Sequence, residues 1–128
     1  MAILKPLEND DGTDSLSDFL VDLMEKHKKQ ESKYIAPLIS VIENFQKYGS
    51  KINLQSSKNF PPFKVLKGED FAELRTKLCR YFIYHTGNDI WIGLHGYEKH
   101  GNDTPKNEID KAKREIKLWQ EIQKRKTI

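Results

Sequence analysis

The apolar residues of this chain change their spacing twice, and both changes fall at prolines, Pro61-Pro62 and Pro105. Before the first break the spacing is helical. Leu16, Phe19, Leu20, Leu23 and Met24 recur at i, i+3, i+4, i+7 and i+8, one stripe on a helix that Asp14 or Ser15 can cap. Ile35, Leu38, Ile42 and Phe45 form a second stripe. Ser32 can cap that helix, Pro37 falls in or near its first turns, where a missing N–H costs least, and Gly49 can stop it. The spacing predicts helices over about 15–30 and about 33–48, joined as a helical hairpin.

Between the prolines the period falls to two. Strands are expected over about 63–66, 71–78, 80–86 and 89–96, with turns at Gly68-Glu69-Asp70 and Gly87-Asn88. Thr104 as N-cap and Pro105 at the first helical position then open a helix over about 105–125. Ile109, Ala112, Ile116, Trp119 and Ile122 are its apolar stripe. The order ααββββα predicts one α+β domain over residues 1–128: an N-terminal helical hairpin, a four-stranded, mainly antiparallel sheet and a C-terminal helix.

Strand alternation sorts side chains by face. Ile90, Ile92 and Leu94 are expected in the core, with Trp91, His95 and Tyr97 opposite. Leu74, Leu78, Tyr81 and Ile83 take the core side of the neighbouring strands, which leaves Glu73, Arg75, Lys77, Arg80, Phe82 and Tyr84 on the other. That second face mixes cations with aromatic rings. Either the last helix covers part of it, or a ligand with stacking bases and phosphates does.

Charge points the same way. The net +3 hides an acidic head, four Lys against eight Asp/Glu in residues 1–31, and a basic stretch, six Lys against one Glu in residues 32–68. Residues 97–128 hold nine Lys/Arg against six acids. An anionic partner, nucleic acid first, fits this distribution, and lysines that merely solvate the surface fit it as well. The single cysteine, Cys79, excludes an internal disulfide framework and a Cys-based zinc site. No apolar run reaches the ~18 residues of a membrane helix. The first residues turn acidic too early for a signal peptide. The expectation is a soluble cytoplasmic protein with no membrane partner.

The segments FKVLKG, FAELR, RYFIYHTGNDIWIGLHGY and TPKNEIDKA, in that order, resemble the RelE/HigB family of bacterial toxins from type II toxin–antitoxin pairs, in its HigB-like branch. The likeness covers roughly residues 60–120. It implies a ribosome-dependent mRNA endoribonuclease that enters the ribosomal A site, cuts translated mRNA without a cofactor, and is silenced by a helix-turn-helix (HigA-like) antitoxin. The family's functional basic residues map to Arg75, Arg80 and Lys99, and its stacking aromatic to Tyr97. His100 stands where a second lysine is common, and Asp103 where a further basic residue is usual.

The residue types suit that chemistry. Metal-free RNA cleavage by the 2′-OH needs a base, an acid and cations for the phosphorane charge. Arg75 and Arg80 can grip phosphate oxygens in pairs, Lys99 can stabilise the phosphorane or the leaving oxygen, and His100 can exchange protons. Tyr97 can stack on a base, while Lys64, Lys67, Lys77 and His95 are candidate RNA contacts. Each has a plainer reading: Arg75 paired with Glu73 or Asp70, His95 bonded to a carbonyl, His100 solvated in its loop, Tyr97 packed. A metal held by His95, His100 and Asp103 is disfavoured, because a strand running into a loop does not fix two imidazoles as one helix face does. The rival function is a non-catalytic module of the same fold that binds RNA, the ribosome or only an antitoxin.

Overall fold

The computed structural model describes residues 2–49 and 62–126. The Phe60-Pro61 part of the first predicted break lies outside them. The elements are β1 (Ile3–Pro6), α1 (Ser15–Lys26), α2 (Glu31–Tyr48), β2 (Phe63–Val65), β3 (Phe71–Arg75), β4 (Cys79–His85), β5 (Ile90–Glu98) and α3 (Lys106–Lys126). The fold class is α+β, with one five-stranded sheet in the order β1-β5-β4-β3-β2. Among the described residues β1 alone runs parallel to its neighbour, with Ile3 opposite Ile90, and the other pairings are antiparallel.

The fifth strand corrects the four-strand expectation. ILKP is too short, and too interrupted by Lys5 and Pro6, to carry a visible alternation. It forms because the edge of β5 offers backbone partners: Ile3 N donates to Asp89 O at 2.7 Å, and Leu7 N to Gly93 O at 2.8 Å. α2 secures it from the side, with Leu4 N donating to Gln46 Oε1 at 3.0 Å. Gly49 does end α2, but with φ −52°, so left-handed backbone is not the reason for glycine there. A Cβ on it would come within 2.0 Å of the Ala2 Cβ.

Helix boundaries also move. Asp14 caps α1, accepting from Ser17 N at 2.7 Å, while Ser15 turns inward to Tyr81 Oη and Gly93 O. α1 stops at Lys26, short of the predicted end, and the next residue, His27, stacks on Tyr34 and bonds Glu98 at the end of β5 at 2.5 Å. α2 starts at Glu31, so Ser32 lies inside it and Pro37 in its second turn. α3 starts at Lys106, with Pro105 just before it, and the Thr104 side chain bonds the Tyr97 hydroxyl.

The sheet is covered on both faces. α1 and α2 bury Phe19, Leu23, Leu38, Ile42 and Phe45 against Leu74, Tyr81, Ile83 and Trp91. α3 buries Ala112 and Ile116 against Phe82, Ile92, Leu94 and Tyr97. Here the predicted faces of β5 need correction. Tyr81 pairs with Gly96 and Ile83 with Gly93, so β5 carries one extra residue opposite Phe82. This bulge breaks strict alternation. Leu94 and Ile92 therefore join Tyr97 and His95 under α3, and Trp91 packs on the opposite face between Phe45 and Phe63.

The close packing of α1 on β5 rests on a missing side chain. A Cβ on Gly96 would meet the Phe19 ring at 2.1 Å. Gly96→Ala is expected to lower stability by about 1–3 kcal/mol through overpacking, read as a lower midpoint in urea unfolding. An unchanged midpoint would show that Phe19 yields without cost.

Candidate functional site

β3, β4 and the end of β5 converge beyond the N-terminal end of α3. Arg75 pairs directly with Arg80 across β3 and β4, and Arg80 with Tyr97 across β4 and β5. Cross-strand partners point to the same face. The two guanidinium-bearing residues and the tyrosine therefore share one surface, a shallow dish that also takes in Lys64 of β2 and Lys99 and His100 of the loop after β5. All five residues assigned to chemistry from the sequence meet here.

The β3–β4 turn builds the dish rigidly. Strand β3 ends at Arg75, before the predicted boundary, because Thr76 closes a turn: its Oγ1 accepts from Cys79 N at 3.0 Å and Leu78 N at 3.3 Å. Arg80 Nη1 donates to Thr76 O at 2.5 Å and Cys79 O at 2.8 Å, so the guanidinium is held on the turn. Lys99 N donates to Leu78 O at 2.9 Å, which brings the lysine to the same end of the sheet. β5 runs two residues further than predicted, to Glu98, so Tyr97 is a strand residue fixed by its ladder.

The floor of the dish is Glu73, which the sequence reading placed on this face but gave no role. Tyr97 Oη donates to its Oε2 at 3.5 Å, and Arg80 Nε lies 3.9 Å from its Oε1. Glu73 is only 2% exposed. Burial raises its carboxyl above the ordinary carboxylate range, opposed by the positive charges of Arg80, Lys64 and Arg75. Tyr97 is buried too. Loss of solvent, and then the nearby Glu73 charge, push its phenol up to about 12, so it remains a donor at neutral pH. The only forewarning of Glu73 was an acidic residue at strand period between would-be phosphate ligands.

Other candidates lie elsewhere. His95 is corrected from a surface contact to a buried residue, 6% exposed. Its Nδ1 bonds Glu115, its Nε2 lies 3.3 Å from Glu108, and its ring meets Phe82 edge-on. Both glutamates belong to α3, so His95 fastens that helix to the sheet. It is thereby separated from His100 and Asp103, which line the dish. Among the described residues no three His, Cys, Asp or Glu side chains are grouped to hold a metal ion. Lys77 is exposed in the β3–β4 turn and Lys67 in the β2–β3 turn, and neither lines the dish. Cys79 is buried in β4, and burial pushes its thiol up to about 11. A wider groove between β1 and the last turns of α3, lined in part by Ile92, Trp119 and Ile122, includes none of the predicted residues.

A family model for phage-derived Gp49-like proteins (DUF891) matches residues 32–117, a span that contains every residue of the dish. The chain belongs to the Gp49-like family. That family is related to the RelE-like toxins of toxin–antitoxin pairs. Comparison with the curated proteins found no match. Among the described residues no helix is long and apolar enough to cross a membrane.

The raised Glu73 carboxyl has a consequence for stability. The folded chain holds that proton to higher pH than the unfolded chain, so the stability Glu73 contributes is present at low pH and lost as pH rises through the raised value. Glu73→Gln, which cannot ionise, is expected to be at least as stable as wild type at neutral pH in urea unfolding. The advantage should vanish at acid pH, below about 4. A Gln variant clearly less stable at neutral pH would make Glu73 a net stabilising ion partner.

Proposed function

We propose that this protein is a toxin of the HigB-like branch: a ribosome-dependent endoribonuclease that cuts translated mRNA in the cytoplasm by metal-independent attack of the 2′-OH. The observation that carries the reading is the convergence of Arg75, Arg80, Lys99 and Tyr97 on one dish. Two guanidinium groups and an ammonium fit the phosphate and the extra negative charge of the phosphorane. The Tyr97 ring is packed under α3 against Phe82, which corrects it from a stacking platform, and it turns its hydroxyl to Glu73 in the dish; His100 is the residue type suited to giving the leaving oxygen its proton. Lys64 extends the basic surface along the approaching strand. The dish is too small and shallow to read several bases, and delegating their recognition to the decoding site of the ribosome would remove that need. The family's relation to toxin–antitoxin toxins supports a cognate antitoxin, of the helix-turn-helix type, as the second partner.

Substitution separates this reading from a binding module. Arg80→Ala and Lys99→Ala are each expected to slow mRNA cleavage in a ribosome-containing extract by about 10²–10³-fold, as loss of a charge-stabilising donor does. Both should abolish growth arrest while antitoxin binding survives. If the double variant still cut at the wild-type rate, the dish would not be the active site. If the wild type bound ribosomes and cut nothing, the chain would be the non-catalytic module.

A further inference from the structure

We infer that Glu73 is the catalytic base that removes the 2′-hydroxyl proton, an assignment that rests on the RNA-cleaving reading above. Placing a carboxylate at the bottom of a phosphate-binding surface weakens phosphate binding, so its presence calls for another task. Two of its contacts, 3.5 Å to Tyr97 Oη and 3.9 Å to Arg80 Nε, are long for a charge so fully desolvated, so stabilisation is a poor explanation for these two. Those same contacts leave the carboxylate with basicity to spend. The other groups facing it are unsuited to the role. Arg80, Arg75 and Lys64, the last paired directly with Glu73 from β2, are hydrogen-bond donors suited to the phosphate and not acceptors for the hydroxyl proton. Tyr97, from β5, holds its proton and orients the carboxylate. Lys99, His100 and Asp103 line the dish from the loop after β5, and His100 and Lys99 are left for the leaving oxygen.

The step balances without a co-reactant. The O2′–H bond breaks and its proton passes to a Glu73 carboxylate oxygen as O2′ bonds to phosphorus. The P–O5′ bond then breaks, and the leaving O5′ takes a proton from His100 or Lys99. The products are a 2′,3′-cyclic phosphate and a 5′-hydroxyl, and Glu73 returns its proton to water.

The test is single-turnover cleavage of mRNA on programmed ribosomes by wild type, Glu73→Gln and Glu73→Asp, over roughly pH 5 to 9. The Gln variant is expected to cut about 10²–10⁴-fold more slowly, to bind ribosomes unchanged, and to lose the rise in rate that wild type shows from acid toward neutral pH. The Asp variant, slowed by its shorter reach, should keep that rise. Wild-type cleavage with a Gln variant of equal rate would overturn the base assignment alone. So would a Gln variant slowed equally at every pH with the rise intact, since that is the mark of a positioning residue. Should the Gln variant fail to fold, an Asp variant that has lost the rise in rate from acid toward neutral pH would overturn the assignment. A wild type that cuts no RNA would sink the reaction itself and the base with it.

Discussion

Arg75 faces Arg80 across the β3–β4 ladder, and like charges placed directly opposite cost stability. That repulsion is the constraint around which the site is arranged. The chain does not relieve it by moving either residue, because Thr76 locks the turn and Arg80 is bonded to two of its carbonyls. It supplies instead a buried carboxylate, Glu73, which lessens the repulsion but itself resists ionising. A surface of this kind, with two guanidinium groups around one buried carboxyl that resists ionising, suits an anion.

The rest of the fold holds this arrangement still. A sheet covered by helices on both faces has little freedom to twist away, and the β5 bulge turns Leu94 and His95 together toward α3. His95 then reaches Glu108 and Glu115 on one side of that helix, while Lys113, further round, bonds Glu69 of the β2–β3 turn at 3.0 Å. These contacts leave the N-terminal end of α3 beside the dish, with Thr104 on the Tyr97 hydroxyl. Polar groups that resembled surface ligands in the sequence are, at this point, the fastening of a helix.

Much of this was legible in the residues and some could not be. The helix stripes, the strand period and the α+β order follow from regular spacing, and α1, α2, β3, β4, β5 and α3 lie where spacing places them. β1 was invisible because its cause is tertiary: a four-residue segment becomes a strand by borrowing the edge of β5. The bulge was hidden for a related reason, since alternation in IWIGLHGY looks continuous whether or not an extra residue is accommodated. It misassigned Trp91, Ile92 and Leu94 while leaving His95 and Tyr97 correct. Arg75 and Arg80 were legible as residues of one face because alternation turns both away from Leu74 and Tyr81; their direct pairing was not, because the Thr76 turn falls inside the stretch that spacing gives to a strand. Glu73 was not, because its significance is its burial, and burial of a charged residue has no signature in a single sequence.

The central claim is that this dish drives attack by the 2′-hydroxyl, and the chemical nature of the cut ends tests it most directly. mRNA fragments from a ribosome-containing extract treated with the purified protein would be read by mass spectrometry at their new termini. A 2′,3′-cyclic phosphate upstream and a 5′-hydroxyl downstream are the ends this account requires. A 3′-hydroxyl upstream with a 5′-phosphate downstream would mean that water, not the ribose, attacks the phosphate, and would contradict it.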